Sequence, residues 1–470
     1  MVRGELDERV RLLTVYNTIY LHAVDATFSR SGLIRSLRQP LQKWLWKRPV
    51  ERDRLDPPAR FRLLLEALGP TYVKVGQLIS SQAQTLPSDW IEELSRLQSD
   101  APPFPVDEVE RAIESDLGAP PRELYQGFDP APLAAASLAQ VHRATLDDGR
   151  PVAVKVQRPN IQRQLQADVR ILARTARALE RRTHWARDLD LAGVVNEFGA
   201  TLLEELDYRI EAYNAQRLAT VLAPIDGVGV AGVIHDLSGA RVLTLEYIDG
   251  VEPGDNAALD EAGVDRELVA RRMVGAAVKM LVVDGFFHAD PHPGNVLVDR
   301  ETGGLTLIDT GMVGQFSLQQ RFSIAGLIYA TYRRDVNGLA KTMRLLSTPS
   351  REVDDRAFDR DFERRITPLV DPPPGAPPQS PTSILPVALD LLLSHGYRLD
   401  SELTLGLKSL VQAQAITEAL VPEGVAVVVR AQHSCMGCRG AMQPDAVMVT
   451  SAMRGAFRED AAARAEFFTL

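Results

Sequence analysis

Apolar residues in the first part of the chain recur at the spacing of a helix. The period holds over residues 61–86, and it resumes at Val106 after the Pro-rich segment 101–105. Residues three and four apart share one face of a helix, so this spacing predicts amphipathic helices. We therefore expect a small helical unit in this part of the chain.

Near Phe128 the pattern changes to that of strands. Residues 139–144 and 152–156 are rich in β-forming side chains, and the Asp148-Gly149 step between them favours a tight turn. These features predict a β-hairpin. A long helical region is predicted over residues 161–222, followed by two strands at 228–234 and 241–247.

From residue 257 onward the pattern is mainly helical, with one interruption. Residues 295–298 and 305–308 are strand-like and are separated by the turn-forming residues 301–304, which predicts a second hairpin. The segment 368–386 is rich in proline. Because proline lacks a backbone N–H and clashes with the preceding turn, we expect an exposed linker there rather than a helix.

The composition is that of a globular protein, with 45% hydrophobic and 24% charged residues. This balance excludes disordered and collagen-like chains. At roughly 150 residues per domain, the length suggests about three structural units. Lys and Arg number 53 against 62 Asp and Glu, and the resulting net charge of −9 lacks the basic surplus of a nucleic-acid-binding protein.

The location expected from the sequence is cytoplasmic. The two cysteines, Cys435 and Cys438, provide no disulfide framework, which favours a reducing compartment. The first residues mix charges and lack the apolar core of a secretory signal. No apolar stretch approaches the roughly 20 residues needed to span a bilayer.

Residues 26–50 form a basic amphipathic pattern, with six Lys and Arg residues, no acid, and Trp44 and Trp46 among leucines. Such a helix can lie on an anionic lipid surface with its indole rings at the headgroups, which would make the protein peripheral at the inner face of the membrane. The alternative, which we weigh slightly higher, is a surface helix with a solvated basic face.

The strongest chemical signal is a cluster of acids and an amide. Asp290 and Asn295 lie five positions apart, and Asp309 follows after the second predicted hairpin. Mg²⁺ prefers oxygen ligands that it shares with nucleotide phosphates, so Asn295 and Asp309 are the candidate metal ligands. Asp290 is then the candidate base that orients or deprotonates an attacking hydroxyl.

This spacing resembles the catalytic loop and metal-binding Asp of protein kinases, and two further parts of that layout are present. Lys155 follows Val152-Ala-Val, where kinases carry a phosphate-binding lysine. The segment 134–141 stands where kinases carry a glycine loop, but each glycine position holds alanine. Alanine restricts positive φ angles, so nucleotide handling is expected to differ from that of ordinary kinases.

Two more motifs make the resemblance specific. Lys74-Val-Gly76-Gln77 precedes the kinase-like region, and Glu205-Leu-Asp207 is followed by Glu211. Together with the alanine-rich loop, they make the chain similar to the UbiB/AarF family of atypical kinases over residues 61–420.

The resemblance implies a role for each of these residues. Lys155 would pair with Glu211 and hold the phosphates of ATP, and the motif Lys74, Gly76, Gln77 would regulate the site by meeting Glu205 and Asp207. A hinge near residues 246–248 would hold adenine. The implied ATP-binding residues are Ala134, Ala135, Ala136, Ser137, Ala139, Val141, Lys155, Glu246 and Ile248.

The resemblance also implies an activity. We expect Mg²⁺-dependent ATP binding with phosphotransfer or hydrolysis, in support of isoprenoid quinone or other lipid metabolism. In the family an extra helix covers the place of a protein substrate, so a small or lipid-like substrate is expected. Thr310 departs from the usual Phe after the metal-binding Asp, and no Ala-Pro-Glu segment follows Gly311. A long phosphorylated activation loop is therefore not expected.

The last fifty residues resemble another family, GTP cyclohydrolase I. His433, Cys435 and Arg439 match positions that in that family assist catalysis, ligate zinc and contact the triphosphate. A catalytic zinc needs three protein ligands, and no cysteine precedes Cys435, so zinc is not expected. Members of the kinase family often end in two membrane-spanning helices, and the resemblance implies that the tail stands in their place here. A truncated fusion is the leading explanation, and completion by another polypeptide is the minority one.

We predict an α+β, two-lobed protein-kinase-like fold with a helical N-terminal extension and a short mixed tail. Two rival functions stay open: a catalytically weak nucleotide-binding scaffold, and GTP cyclohydrolase activity through the tail. The predicted segments are a basic region (1–60), the helical extension (61–127), the N-lobe with a helical insertion (128–250), the C-lobe (251–420) and the cyclohydrolase-like tail (421–470).

Overall fold

The structure is a computed structural model. It describes residues 11–12, 14–15, 18, 56–81, 88–97, 102–184, 187, 190–350, 352–371 and 384–421. The basic segment 26–50 and residues 422–470 of the cyclohydrolase-like tail lie outside these residues. The chain divides into two compact units, the first formed by residues 1–208 and 237–244 and the second by residues 209–236 and 245–470.

The first unit begins with helices, as the apolar period predicts. The predicted helical stretch 61–86 is divided at Gly69-Pro70, where the first helix ends and proline begins the next. Proline suits the first turn of a helix because its missing N–H has no intrahelical partner there. The helices are α1 (Pro57–Leu68), α2 (Pro70–Ser81), α3 (Ser88–Ser95), α4 (Val106–Leu117) and α5 (Pro121–Leu124).

Gly76 of α2 is required by close packing. A side chain there would overlap Leu65 of α1 and Leu97, which follows α3. These leucines belong to a small core with Tyr72 and Val73. The glycine of the Lys-x-Gly-Gln motif therefore lets three helices approach one another.

A four-stranded sheet follows in the order β1-β2-β3-β5. The hairpin predicted around residues 147–149 is confirmed, since β2 pairs antiparallel with β3 with Val141 opposite Lys155. The strands are β1 (Gly127–Ala135), β2 (Ala139–Thr145), β3 (Pro151–Gln157) and β5 (Val242–Glu246). The last strand crosses from the first unit into the second.

The helical region predicted over residues 161–222 is confirmed and consists of three helices. They are α6 (Ile161–Arg182), α7 (Leu191–Glu204) and α8 (Tyr208–Leu222). The Asp190 side chain caps the start of α7 by accepting from the Gly193 amide. Such a cap marks the point where a new helix begins within the predicted region.

The second unit contains a mixed sheet in the order β4-β9-β8-β6 and two short strand pairs. The strand predicted at 228–234 is shorter, ending at Val230, and the second predicted hairpin is confirmed. The strands are β4 (Val228–Val230), β6 (Gly250–Val251), β7 (Phe286–His288), β8 (Val296–Asp299), β9 (Leu305–Leu307), β10 (Val313–Gln315), β11 (Ser347–Pro349) and β12 (Tyr397–Leu399).

Helices cover these strands and form the larger core. Gly406 of the last helix allows close packing, since a side chain there would overlap the ring of Phe316. No helix in the described part is long and apolar enough to cross a membrane. The helices are α9 (Asn256–Glu261), α10 (Arg266–Val278), α11 (Leu318–Arg333), α12 (Val336–Leu345), α13 (Asp355–Val370), α14 (Ile384–Ser394) and α15 (Ser401–Leu420), with a π-helix at Lys279–Asp284.

The predicted linker 368–386 is wrong at both ends. Pro368 lies inside α13, which continues to Val370, and Pro386 lies in α14. Burial of Val370 and Ile366 in the core favours the final turn of α13 despite the backbone bond that proline removes. Pro386 lies in the first turn of its helix, where no intrahelical partner is lost.

Candidate active site

The hairpin of β8 and β9 brings Asn295 and Asp309 to the same end of the sheet. Val296 pairs with Leu307, so the residues just beyond this pair continue side by side. The Ile308 amide donates to the Asn295 carbonyl oxygen at 3.0 Å, which extends the ladder. The two candidate metal ligands are therefore placed by strand register.

A second strand pair adds Asp290. In β7, His288 pairs with Val313 of β10, and the Ala289 amide then donates to the Met312 carbonyl oxygen at 2.9 Å. The loop after β7 folds back because the Asn295 side-chain amide donates to the Asp290 carbonyl oxygen at 3.1 Å. Asp290, Asn295 and the segment after Asp309 are thus joined by backbone pairing and one side-chain bond.

The Asp290 carboxylate is held from the last helix. Lys408 Nζ lies 2.9 Å from Asp290 Oδ1, and Gln412 Nε2 donates to the same oxygen at 2.7 Å. Burial raises the pKa of Asp290, but the charge and hydrogen bond of Lys408 and the bond from Gln412 outweigh it and lower the pKa below its ordinary value. Asp290 is therefore ionised at neutral pH, as a base must be.

His288 and His292 have structural contacts. His288 is buried, its Nδ1 accepts from the Asp290 amide at 3.1 Å, and burial lowers its pKa against the opposing charges of Asp309 and Asp290. His292 Nδ1 accepts from the Gly294 amide at 3.1 Å and caps the short turn before Asn295. Both rings shape the loop around Asp290.

The donor set at Asn295 and Asp309 fits a hard cation. Because the Asn295 amide nitrogen is bound to the Asp290 carbonyl oxygen, its oxygen is oriented away from that bond and keeps its acceptor capacity. Asp309 Oδ1 accepts from the Gly311 amide at 2.9 Å, which fixes the carboxylate on its loop. One amide oxygen and one carboxylate suit Mg²⁺ that shares its other positions with phosphate and water.

Thr310 attaches this loop to α8. Its buried hydroxyl donates to the Glu211 carbonyl oxygen at 3.1 Å, and the Asn214 side chain donates to the Thr310 carbonyl oxygen at 3.3 Å. The Glu211 carboxylate and Asp309 Oδ1 both lie within 4.0 Å of the point that a side chain on Gly311 would occupy. These two hydrogen bonds, which we call the Thr310 latch, thus stand at the position where kinases usually have an apolar Phe side chain.

Lys155 lies on β3 of the first unit. Its Nζ lies 5.3 Å from the centroid of the Tyr208 ring. Glu211 belongs to the second unit, and their pairing stays a prediction.

The alanine-rich loop connects β1 and β2 and is held by Arg158. Arg158 Nε donates to the Ala136 carbonyl oxygen at 2.8 Å, and its backbone amide donates to the Leu138 carbonyl oxygen at 2.9 Å. Ala134 and Ala135 end β1. The other residues predicted to bind ATP here are Ser137, which is buried, and Ala139 and Val141, which lie in β2. None of these residues has a positive φ angle, which is the conformation alanine disfavours.

The structure brings together part of the predicted regulatory motif. Lys74 forms an ion pair with Glu205, both within the first unit. Gln77 Nε2 donates to the Leu97 carbonyl oxygen at 3.0 Å, in addition to its other interactions, and so ties α2 to the end of α3. Asp207 lies in the turn before α8, where its amide donates to the Glu204 carbonyl oxygen at 3.0 Å.

The predicted hinge follows β5. Glu246 is exposed at the end of that strand, and its Oε2 accepts from the Gly232 amide at 3.2 Å. Ile248 is half-buried. The tail residues His433, Cys435 and Arg439 lie outside the described residues.

Several contacts at the site were not predicted from the sequence. Lys408, Ser409 and Gln412 lie on α15, and Arg158 and Asn214 lie beside residues that were predicted. Lys408 did leave a signal, because it is the single cation in the largely apolar segment of α15. The polar side chain four positions later would lie on the same face of that helix.

Sequence comparison finds relatives in bacteria and a plant. The chain is 31% identical over 387 residues to an uncharacterized protein of Synechocystis sp., covering 81% of this chain and 66% of that protein. It is 38% identical over 276 residues to the protein ACTIVITY OF BC1 COMPLEX KINASE 7, chloroplastic, of Arabidopsis thaliana, covering 59% and 39%. It is 33% identical over 318 residues to the probable protein kinase UbiB of Shewanella baltica, covering 67% and 58%.

The chain spans 39% to 66% of the length of these three relatives. Among solved structures, the complex of Rv3197 with erythromycin from Mycobacterium tuberculosis is similar at 25% identity with a TM-score of 0.49, covering 82% of this chain and 93% of that one.

Two family profiles match the chain. The GTP cyclohydrolase I profile matches residues 408–470, which confirms the resemblance of the tail and extends it back into α15, earlier than the predicted boundary at residue 421. The profile of the ABC1 atypical kinase-like domain matches residues 96–343, more than half of the chain, and confirms the kinase-like α+β fold class. The chain therefore belongs to the ABC1 atypical kinase-like family, the family that includes its UbiB relatives.

Proposed function

We propose that the protein is an atypical kinase or ATPase that binds ATP with Mg²⁺. The observation that carries this proposal is the junction of Asp290, Asn295 and Asp309 at the ends of two strand pairs in the second unit. A pure scaffold would need neither an ionised base nor a loop that holds it beside metal-binding oxygens. The first unit adds Lys155 and the alanine-rich loop, which the same proposal assigns to the phosphates.

In this proposal each residue has a separate task. Asn295 and Asp309 would hold Mg²⁺, which neutralises charge on the phosphates. The oxygen of the attacking hydroxyl would bond to the γ-phosphorus as the bond to ADP breaks. Asp290 would accept the proton that this hydroxyl loses. The regulatory residues Lys74, Gly76 and Gln77 would act through the ion pair of Lys74 with Glu205.

The acceptor is proposed to be small or lipid-like, in quinone or other lipid metabolism. The support is kinship with proteins named UbiB. Water is the alternative acceptor, which would make the protein an ATPase. Peripheral attachment to a membrane through residues 26–50 and a cytoplasmic location are part of the same proposal.

The test is release of ADP from ATP and Mg²⁺ by the full chain. Asp290→Asn and Asp309→Asn should each lower turnover about 100-fold or more, because each removes a charge used in the transfer step. Glu363→Gln, which changes an exposed acid on α13, is the matched control and should keep the wild-type rate. If both site variants keep that rate, the enzymatic assignment fails.

Binding is tested separately from turnover. ATP with Mg²⁺ should raise the thermal unfolding midpoint of the wild-type protein, because a ligand of the native state stabilises it by mass action. Lys155→Ala should lose most of this shift. A shift without turnover in the wild type would favour the nucleotide-binding scaffold.

The GTP cyclohydrolase profile supports a second candidate function. Such an activity would need zinc ligands beyond Cys435 and Cys438, the only cysteines of the chain. Formation of a pterin product from GTP, together with zinc in the purified protein, would favour it. We rank it below the kinase assignment because a catalytic zinc needs three protein ligands and no cysteine precedes Cys435 in this sequence.

A further inference from the structure

The loop that carries Asp290 contains no lysine or arginine. From His288 to Asn295 it consists of two histidines, an acid, an amide and small or proline residues. Transfer of a phosphoryl group requires cations close to the transferred oxygens, because negative charge is spread over them in the transition state. Besides the proposed Mg²⁺ and Lys155, a further cation beside this loop would have to come from another element of the fold.

The helix α15 supplies one. Lys408 Nζ lies 2.9 Å from Asp290 Oδ1, and Gln412, one turn later, donates to the same oxygen at 2.7 Å. Between them, Ser409 Oγ donates to the buried His288 carbonyl oxygen at 2.7 Å. Three side chains within one and a half turns of α15 thus contact the loop on both sides of Ala289.

The arrangement leaves one carboxylate oxygen for chemistry. Both donors bind Asp290 Oδ1, and no partner of Oδ2 is found among the described residues. An ammonium group has three N–H donors, and Lys408 uses one of them on Asp290. The Lys408 side chain is 34% exposed and that of Asp290 is 26% exposed, so both can be reached by a ligand.

A purely structural role explains less of this geometry. An ion pair with this much exposure contributes little to folding stability, because solvent screens it and two side chains lose freedom. A structural pair would also gain by satisfying both carboxylate oxygens. Here the cation and the amide converge on one oxygen, which orients the carboxylate and places a positive charge beside it.

We propose that Lys408 is a further catalytic residue that contacts the transferred phosphoryl group, and that Gln412 is a positioning residue for Asp290. This inference rests on the proposed phosphotransfer function. As the acceptor oxygen bonds to phosphorus and the bond to ADP breaks, Asp290 Oδ2 takes the proton of the acceptor. Lys408 stays protonated throughout and donates to the oxygens of the phosphoryl group.

The test compares four variants in ADP release at varied ATP concentration. Lys408→Met should lower kcat about 100-fold with KM for ATP within about threefold of wild type, because the contact is strongest in the transition state. Lys408→Arg keeps the charge and should recover kcat to within about tenfold of wild type. Gln412→Leu should lower kcat less than Lys408→Met does, and Lys341→Met, at an exposed lysine on α12, is the matched control.

The outcomes separate this inference from the function on which it rests. If the wild type releases ADP and Lys408→Met keeps kcat within about threefold, the role of Lys408 is overturned while the kinase or ATPase assignment stands. If the wild type releases none, both are overturned. If Lys408→Met does not fold, Lys408→Gln decides, since it is uncharged and can still donate to Asp290: wild-type kcat in that variant refutes the role of the charge.

Discussion

Asp168 in the first unit and Asp290 in the second are both carboxylates held by a cation from a distant part of the chain. Asp168 on α6 is fully buried, and Arg11 donates to both of its oxygens at 2.7 and 2.9 Å. Thr71 donates a third bond at 2.8 Å. Asp290 is 26% exposed, and its two donors bind one oxygen.

In the proposed function, this difference separates a structural acid, Asp168, from a catalytic base, Asp290. A buried charge is tolerated only when its hydrogen-bonding capacity is satisfied, and both oxygens of Asp168 have partners. In Asp290 both donors bind Oδ1, which leaves Oδ2 for a ligand, and the side chain is partly exposed. The two pairs of an acid and a cation therefore differ in how many carboxylate oxygens have partners, and we propose that this number distinguishes a structural role from a catalytic one.

The largest expected effect comes from neutralising each acid in turn. Asp168→Asn should lower the free energy of unfolding by about 3–5 kcal/mol, because it leaves Arg11 without its buried counter-charge. Asp290→Asn should change that free energy by less than about 1 kcal/mol, since its pair is only half-buried and partly screened by solvent. Urea denaturation measures the first quantity, and ADP release measures the effect on turnover.

In the turnover assay the order of the two variants should be reversed, with the larger loss in Asp290→Asn. Folded Asp168→Asn should release ADP at close to the wild-type rate, whereas Asp290→Asn should be nearly inactive. Equal losses of stability in the two variants would contradict the distinction between them.

The sequence predicted the parts of this site that lie close together along the chain. The spacing of Asp290, Asn295 and Asp309 around a hairpin was sufficient, because strand register follows from local pattern and turn residues. Gln412 and Asp290 are separated by 122 positions, and Asp168 and Arg11 by 157. Pairs of this kind depend on how helices pack, which no local pattern contains.

Errors in the predicted fold have the same origin. Proline at 368 argues against a helix on local grounds, yet the turn is retained where Val370 packs into the core. The helical region predicted over residues 161–222 is confirmed, but its two breaks between helices were not predicted. Tertiary packing and capping decide such boundaries, and neither has a strong signature in composition.

The second prediction concerns Thr310, whose buried hydroxyl is hydrogen-bonded although the nearby Asp290 carboxylate is partly exposed. Thr310→Val keeps the shape of the side chain but removes the buried bond to the Glu211 carbonyl oxygen. Loss of such a bond costs about 1–1.5 kcal/mol, so the Mg²⁺ concentration for half-maximal turnover should rise about tenfold if the latch positions Asp309. Titration of turnover with Mg²⁺ measures it.

The control for Thr310 is another threonine with a backbone bond. Thr331→Val removes the hydroxyl that donates to the Leu327 carbonyl oxygen within α11. It should leave the Mg²⁺ dependence unchanged. An unchanged Mg²⁺ requirement in Thr310→Val as well would mean that the Thr310 bond does not position Asp309.

The smallest expected effect tests a closed network in the first unit. His142 is buried, its Nδ1 donates to the Asp129 carbonyl oxygen at 2.9 Å, and its Nε2 accepts from Gln140 at 2.9 Å. Gln140 in turn accepts from the Phe104 amide at 2.9 Å. All of these hydrogen bonds can form while the imidazole is neutral. A second ring proton, on Nε2, would point at the Gln140 amide group, which is itself a donor.

Burial lowers the pKa of His142, against a weaker opposing effect of the bond to Asp129. Its stabilising contribution is therefore complete above the unfolded value of about 6.5 and is lost as pH falls, because the unfolded chain takes up the proton first. The thermal unfolding midpoint should fall as the pH is lowered from about 7 to about 5. His142→Gln should reduce the slope of this midpoint against pH. Burial lowers the pKa of His288 as well, so part of the slope should persist. His184→Gln, at an exposed position, should keep the wild-type slope. If His142→Gln also keeps the full slope, the hydrogen bonds of His142 do not favour the neutral ring over the charged one. The contrast between fully bonded groups and the partly bonded Asp290 carboxylate would then rest on Asp168 alone.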